Sequence, residues 1–98
     1  MTDNVIDFNK ARRLNFYQYS IPDLTKASIE RYILDRIAPG GFLQAVFAND
    51  LVGAVSHASG DNAGSLVDIA RWIANYAPGD CWGSYPIVQK YLNTPRIK

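Results

Sequence analysis

Residues 38–55 read APGGFLQAVFANDLVGAV, and this stretch decides the fold of the 98-residue chain. Pro39 has no amide hydrogen and disfavours helix in the residue before it, so it ends a helix that arrives from the N-terminal side. The two glycines that follow permit positive φ, and an apolar run with helical spacing begins after them. Asn49 or Asp50 interrupts this run and can cap a further short helix. The apolar pattern of that further helix is continued by Leu51, Val52 and Val55.

The segment before this stretch carries the pattern of an amphipathic helix. Pro22 has a φ angle that suits a helix start, and Thr25 is the predicted N-cap. Apolar residues then recur at i, i+3, i+4 and i+8, the spacing of one helix face. They are Ile29, Tyr32, Ile33 and Ile37. We expect this helix to continue through Ile37 and to stop before Pro39.

The segment after this stretch predicts two more helices. The longest pattern follows Asp61, its predicted N-cap, and comprises Leu66, Ile69, Ala70, Ile73 and Ala77, widened by Val67 and Tyr76. Its broad apolar side predicts a central helix, and the Pro-Gly pair after it predicts its end. Ser84 is the predicted N-cap of the last helix. The apolar side of that helix comprises Ile87, Val88, Tyr91 and Leu92.

These patterns together predict a small all-α fold, a compact bundle of four to five short helices with Pro/Gly joints. Residues 1–20 are predicted to form an N-terminal arm, with a short helix around Val5 and Phe8 and then an extended aromatic segment. Residues 21–98 are predicted to form a single helical domain, as expected for a chain of this length. The apolar fraction of 48% is sufficient for a folded core.

Composition argues against several classes of function. The formal net charge of +1 gives neither a basic excess for nucleic acid nor an acidic tail. Cys81 is the single cysteine, so an internal disulfide or a multi-cysteine zinc site is not expected. No apolar run reaches the ~20 residues that a membrane-spanning helix needs. We therefore expect a cytoplasmic protein with no membrane contact, no metal and no cofactor.

Two motifs resemble a known group of proteins. The segments PGGFLQAVFANDLVGA (39–54) and YAPGDCWGS (76–84) are similar to short uncharacterised proteins encoded by tailed phages and prophages. The resemblance covers roughly residues 20–92, and members of the group tend to carry Arg-Ala-Asp where this chain has residues 57–59. It implies no activity or ligand. It does imply a phage accessory protein in the host cell, of a kind that often binds a host component.

Three motifs allow a catalytic or ligand-binding reading beside a structural one. The glycine pair lacks the preceding strand and the following Lys-Ser/Thr of a phosphate loop, so we favour a hinge. The carboxylate of Asp50 has no second ligand at metal spacing, so we favour a helix cap. Cys81 would need His57 as its base, and no oriented triad surrounds that histidine. We expect Cys81 to be a small buried side chain and Trp82 to fill the core, with its indole donating to a backbone carbonyl.

Two sets of residues are candidates for binding a partner. Trp72 lies off the main apolar stripe of the long helix, so it is either an exposed interface anchor or is covered by the arm or by another helix. The candidates for binding a protein are Arg71, Trp72, Tyr76 and Tyr85. Cations beside aromatic rings can bind a nucleotide or nucleic acid. The candidates for this second ligand are Lys10, Arg12, Arg13, Phe16, Tyr17 and Tyr19.

The sequence thus favours a non-enzymatic protein that binds another protein. The partner is expected to be a host or phage protein, or a second copy of the chain. A nucleotide or nucleic-acid ligand held by the arm is the alternative. Once catalytic, metal and phosphate sites are set aside, the remaining candidate residues are mainly aromatic residues and arginine, which are the side chains that protein interfaces favour.

Overall fold

A computed structural model of the protein describes residues 14–94, and over this range the chain is all-α, as predicted. It contains five helices, with no strand between residues 14 and 94: α1 (Asp23–Asp35), α2 (Gly41–Phe47), α3 (Leu51–His57), α4 (Gly60–Tyr76) and α5 (Tyr85–Asn93). The predicted helix around Val5 and Phe8 lies outside the described residues. Residues 14–20 form an arm without regular helix or strand, which packs along α4.

α1 starts three residues earlier than predicted. Its first residue is Asp23, and Pro22 takes the cap position without a side-chain hydrogen bond. The prediction that Thr25 is the N-cap was wrong, because Thr25 is buried inside the first turn. Its hydroxyl donates to the side-chain oxygen of Asn62 on α4, 2.6 Å away. The threonine thus joins two helices.

α1 also ends earlier than predicted. Arg36 adopts a left-handed conformation with φ of 59° and stops the helix. The backbone N–H of Arg36 donates to the Tyr32 carbonyl, the bond of a left-handed C-cap, and that of Ile37 donates to the Arg31 carbonyl, so both bonds close the C-terminus. Ile37 therefore leaves the helix and is exposed, so its predicted place on the buried face was wrong. The guanidinium of Arg36 lies 3.7 Å from the ring centroid of Tyr91 and holds this turn against α5.

The Pro-Gly-Gly segment is the joint between α1 and α2. Gly40 takes the cap position with φ of −69°, and neither glycine of the pair has positive φ. The expectation that they supply a left-handed turn was therefore wrong. Arg36 supplies the left-handed conformation at the end of α1 instead, and Asn49, with φ of 62°, supplies it between α2 and α3. A Cβ at Gly41 would lie 3.1 Å from the imidazole of His57, so a larger residue there would displace this exposed side chain slightly.

The predicted cap between α2 and α3 is Asp50. Its carboxylate accepts the backbone N–H of Gly53 at 2.9 Å, as an N-cap side chain should. A Cβ on Gly53 would clash with this carboxylate, so the close approach requires glycine. α2 buries most of its apolar residues and packs on both α3 and α5. α3 by contrast buries only Ala54.

α4 is the long helix, and its buried side differs from the predicted stripe. Ile69, Trp72 and Ile73 are its buried residues. Val67 and Ala70 are exposed, so their predicted place on the core side was wrong. Asp61 lies in the first turn rather than at the cap, which falls at Ser59 without a side-chain bond. Trp72, rather than Val67 or Ala70, belongs to the core, because the arm packs on the side of α4 that carries Trp72.

The connector before α5 brings Cys81 into the core. Ser84 caps α5 as predicted, accepting the N–H of Ile87. Gly83 has φ of 137°, a conformation for which glycine is needed, and its N–H donates to the Phe47 carbonyl at 2.7 Å. Trp82 is only half-buried and makes no hydrogen bond within residues 14–94, so the predicted indole bond to a carbonyl was wrong for this residue.

The core collects aromatic and aliphatic side chains from the arm and all five helices. The largest fully buried side chains are Trp72, Tyr32, Phe47, Ile29, Ile69 and Cys81. Two buried tyrosine hydroxyls are satisfied by carbonyls: Tyr32 donates to Cys81 at 2.7 Å, and Tyr91 donates to Ile33 at 2.7 Å. Burial, as the largest cause, raises the pKa of both tyrosines, so the hydroxyls stay protonated and the two bonds persist.

Candidate functional site

An open apolar groove runs between α3 and α4. Its volume is about 380 Å³, and most of its lining is carbon. Side chains from the end of α2, from α3 and from α4 line it: Val46, Asn49, Asp50, Leu51, Ala54, Leu66, Val67, Ala70, Arg71 and Ala74. The groove exists because α3 approaches the rest of the fold through the small side chain of Ala54, while the outward residues of α4 beside it are also small.

The outward side of α3 continues this apolar surface. Leu51, Val52 and Val55 are 66%, 75% and 58% exposed. α2 covers only the Ala54 side of this seven-residue helix, so its larger aliphatic residues remain in water. Val67 of α4 is also exposed. We call this surface the α3–α4 face. It consists of the groove and the exposed residues Leu51, Val52, Val55 and Val67.

One edge of the α3–α4 face carries a fixed negative charge. The hydroxyl of Tyr85 donates to the carboxylate of Asp50 at 2.6 Å, and the Gly53 N–H donates to its other oxygen. The bond from Tyr85, followed by that from Gly53, lowers the pKa of Asp50 below its usual value. The same bond raises the pKa of Tyr85. Asp50 is therefore ionised at neutral pH and held in one orientation.

The opposite wall of the groove carries a positive charge. Arg71 lies on α4, is exposed and lines the groove. Its guanidinium has no hydrogen bond or ion pair with any residue between 14 and 94. Of the four predicted protein-binding residues, the fold thus brings Arg71 and Tyr85 to the α3–α4 face, Arg71 directly and Tyr85 through Asp50.

Trp72 is not available to a partner. It is 2% exposed, and its indole N–H donates to the Asn15 carbonyl at 2.9 Å. Phe16 packs on its ring, with 4.8 Å between centroids. The alternative in which the arm covers Trp72 is confirmed. Phe16 is itself buried, so its predicted role in stacking a base is wrong for this conformation.

The tyrosines of the arm form an exposed cluster with the end of α4. Tyr17 stacks on Tyr76 with 4.4 Å between centroids, and Tyr19 meets Tyr76 edge to face at 6.1 Å. Asn75 donates to the Tyr19 hydroxyl at 3.1 Å. These contacts fasten the arm to α4. They place Tyr76, a predicted protein-binding residue, away from Arg71 and Tyr85. Lys10, Arg12 and Arg13 lie outside the described residues.

A second hollow lies between the arm and α1. Its volume is about 690 Å³, and its lining includes Asp23, Lys26 and Glu30. One carboxylate oxygen of Glu30 accepts the Leu14 N–H at 3.2 Å. Lys26 forms an ion pair with Asp23 at 3.6 Å. The carboxylates here oppose binding of a phosphate next to the arm.

Cys81 and His57 do not form a reactive pair. Cys81 is fully buried, and this burial, with the nearby Asp80 as a smaller cause, raises the pKa of its thiol to about 12. The thiol is therefore protonated at neutral pH, and a protonated thiol is a poor nucleophile. His57 is exposed at the end of α3, where its Nδ1 lies 2.9 Å from the Gly53 carbonyl. The prediction that Cys81 is a small buried side chain is confirmed.

Residues 14–94 contain neither a cluster of metal-binding side chains nor a membrane-spanning helix. No group of three His, Cys, Asp or Glu side chains there is placed to hold a metal ion. None of the five helices has the length and apolar character required to cross a membrane.

Comparison with protein-family models, with curated proteins and with solved structures finds no match to this chain. The candidate site therefore depends on its own geometry. Sequence reasoning missed the main part of it: Leu51, Val52 and Val55 were recognised only as the apolar pattern of a short helix, and Val67 was placed on the buried stripe of the long helix. The available signal was the number of apolar residues on α3, which is more than a short helix packed on one side can bury.

Proposed function

We propose that this chain is a non-enzymatic binding protein that docks another protein on the α3–α4 face. One observation carries the proposal: Leu51, Val52 and Val55 are exposed along one helix, directly beside an apolar groove. Monomeric proteins rarely expose contiguous apolar patches larger than a few hundred Å², and larger ones mark interaction sites. A patch that combines an open groove with a protruding helix side fits another polypeptide better than a small molecule, which needs an enclosing cavity.

The rim of the face also has the chemistry of a protein interface. Interfaces place arginine and tyrosine around an apolar centre, and these two residue types often dominate the binding energy. Arg71 stands at one wall with its donors free of any bond to residues 14–94, and Tyr85 is half-exposed next to Asp50. A partner that brings a carboxylate to Arg71 and aliphatic side chains to the groove would fit the charge of the rim and the apolar character of the centre.

The assignment as a non-enzymatic protein is supported by the state of the cysteine. Cys81 is inside the core with a protonated thiol, and its backbone carbonyl is occupied by Tyr32. His57 is committed to the α3 backbone. Neither group is presented to a substrate in the way that nucleophilic catalysis requires.

The biological setting is proposed from the sequence resemblance. The similarity of residues 39–54 and 76–84 to short phage and prophage proteins supports an accessory protein that acts in the cytoplasm of the host cell. In that setting, the docked protein is a host factor, another phage protein or a second copy of the chain.

Site-specific photocrosslinking tests the docking face. A photoreactive phenylalanine analogue replaces Val55 in the full chain, and the matched control carries the same analogue at Leu24, which is 85% exposed on α1. In cells that produce the protein, we expect crosslinked protein adducts from position 55 and few from position 24. Equal yields at the two positions, or no adduct from position 55, would contradict the proposal.

A nucleotide or nucleic-acid ligand on the arm is the competing proposal. The stacked, exposed rings of Tyr17 and Tyr76 favour it, because bases stack on such surfaces. The burial of Phe16 and the carboxylates of Asp23 and Glu30 oppose it. The affinity for a labelled single-stranded oligonucleotide, measured at low and at high salt, distinguishes nucleic-acid binding on the arm from protein docking on the α3–α4 face. Binding to phosphates weakens steeply as salt rises, whereas docking of an apolar protein surface is little affected.

A further inference from the structure

We infer that the protein docked on the α3–α4 face is a second copy of this chain, related to the first by a two-fold axis. The inference rests on the proposed function, since it names the occupant of the same face. In a two-fold interface the same surface serves both partners, so this surface has to be complementary to itself. The α3–α4 face meets that requirement in shape, in charge and in size.

The face contains both a ridge and a groove that could receive it. The ridge is formed by Val52 and Val55 on the outward side of α3, and neither residue lines the groove. The groove has small side chains where a second helix would have to approach closely: Ala54, Ala70 and Ala74. A two-fold rotation therefore places the valine ridge of each copy in the groove of the other. Ridges of one helix packed into grooves between others are the usual form of helix contact.

The charges of the face are also complementary to each other. Asp50 immediately precedes the α3 ridge, and Arg71 lies on the α4 wall of the groove. When the ridge of one copy lies against α4 of the other, Asp50 of each copy faces Arg71 of its mate. Arg71 is exposed and makes no hydrogen bond or ion pair within residues 14–94, so its donors are available to the Asp50 carboxylate of the second copy. The net charge of +1 gives little repulsion between two copies.

The size of the face indicates the strength of the dimer. A stable complex buries about 800 Å² on each partner, and weak, transient contacts bury less than about 1,200 Å² in total. The apolar part of the α3–α4 face consists of one open groove and four exposed aliphatic side chains, a small surface that fits the weaker class. We therefore expect a reversible dimer whose dissociation constant lies roughly between 1 μM and 1 mM.

Sedimentation equilibrium of the full chain measures this association. The wild-type protein is expected to change from monomer to dimer between about 1 μM and 1 mM. Val55→Lys places a charge on the ridge, and Val67→Glu places one in the groove. Both positions are exposed, at 58% and 62%, so neither change should disturb folding. Each variant is expected to weaken the dimer by at least tenfold. Leu24→Lys, on α1 and away from the face, should dimerise like wild type.

A mixture of the two variants tests the arrangement itself. Each variant alone has two defective ridge-in-groove contacts in its homodimer. A mixed pair has one intact contact, and in its second contact the new lysine meets the new glutamate. We therefore expect the equimolar mixture to form heterodimers more tightly than either variant forms homodimers.

The outcomes separate this inference from the proposed function. A wild-type chain that stays monomeric over the whole range would overturn the second copy as occupant, as would a dimer that Val55→Lys leaves intact. In the crosslinking experiment, an adduct of twice the chain mass supports the second copy. An adduct of any other mass refutes the second copy while leaving the docking face itself supported. Absence of every adduct would refute both.

Discussion

Trp72 should be the most sensitive tryptophan of the chain, because it joins the arm to α4. Its ring is 2% exposed and packs on Phe16, and its indole donates to the Asn15 carbonyl at 2.9 Å. An aromatic side chain buries about 150–250 Å², which at about 25 cal/mol/Å² gives roughly 4–6 kcal/mol. Residual burial in the unfolded chain reduces this by about 10–40%. Trp72→Ala is therefore expected to destabilise the fold by about 3–5 kcal/mol.

A milder substitution keeps the experiment interpretable if the alanine variant does not fold. Total stability for a domain of this kind is about 5–15 kcal/mol, so the alanine change could remove most of it. Trp72→Phe keeps an aromatic ring and loses the hydrogen bond, worth about 1 kcal/mol, and part of the buried area. We expect a loss of about 2 kcal/mol, which corresponds to a fall in Tm of roughly 8–16 °C for a domain of this size.

Urea unfolding, followed by the helical circular dichroism signal, measures these changes. Trp82→Phe is the matched control, since Trp82 is half-buried and its indole donates to no residue among 14–94. We expect the control to lose less than about 1 kcal/mol, because little buried area and no hydrogen bond are removed. The reasoning is refuted if the two tryptophan variants are equally stable, or if Trp72→Phe unfolds at the same urea concentration as the wild type.

Three further predictions concern other contacts of the fold. Arg36 has φ of 59°, a conformation that costs a residue with a Cβ about 1 kcal/mol. Arg36→Gly and Arg36→Ala both lose the contact with Tyr91, so the glycine variant should be the more stable of the two by about this amount. Equal unfolding midpoints in urea would contradict this. The buried thiol of Cys81, whose pKa is raised to about 12, should react with a disulfide reagent at the rate of unfolding; fast labelling of the native protein would show that the thiol is accessible. The folded state lowers the pKa of Asp50, so the stability that this carboxylate contributes is present above about pH 4 and is lost as pH falls through the folded-state pKa. Melting temperatures measured against pH should therefore fall less in acid for Asp50→Asn and for Tyr85→Phe than for wild type. Parallel curves would refute the role of the hydrogen bond from Tyr85 to Asp50.

The sequence predicted the helix ends that depend on local chemistry. Ser84 was identified as one cap and Asn49 or Asp50 as another, because an N-cap bond joins residues two or three positions apart. The same reasoning failed for Thr25 and Asp61, whose helices begin earlier in the chain. The joints at Pro39 and Pro78 follow for the same reason, since proline excludes helix through its own ring. The all-α class is the sum of these local preferences.

The end of α1 shows where local reasoning stops. The pattern placed it beyond Ile37, but the helix ends at Asp35 because Arg36 adopts a left-handed turn. The guanidinium of Arg36 is held there by the ring of Tyr91 and by the Thr94 carbonyl, both at the other end of the described chain. No pattern within a few residues of Arg36 contains those partners.

The two tryptophans and the α3–α4 face were decided by tertiary structure alone. A period of 3.6 residues defines a stripe on a helix, but it does not say which neighbour covers that stripe. Trp72 is buried because the arm supplies a carbonyl and a ring from far away in the sequence. Val52 and Val55 are exposed because the packing of α2 and α4 around α3 leaves their side open. Hydrogen bonds at helix ends are local, whereas burial depends on every element that packs nearby. The sequence therefore determined the all-α class, the cap at Ser84 and the proline joints, whereas only the assembled fold determined the remaining helix ends and the surfaces left for a partner.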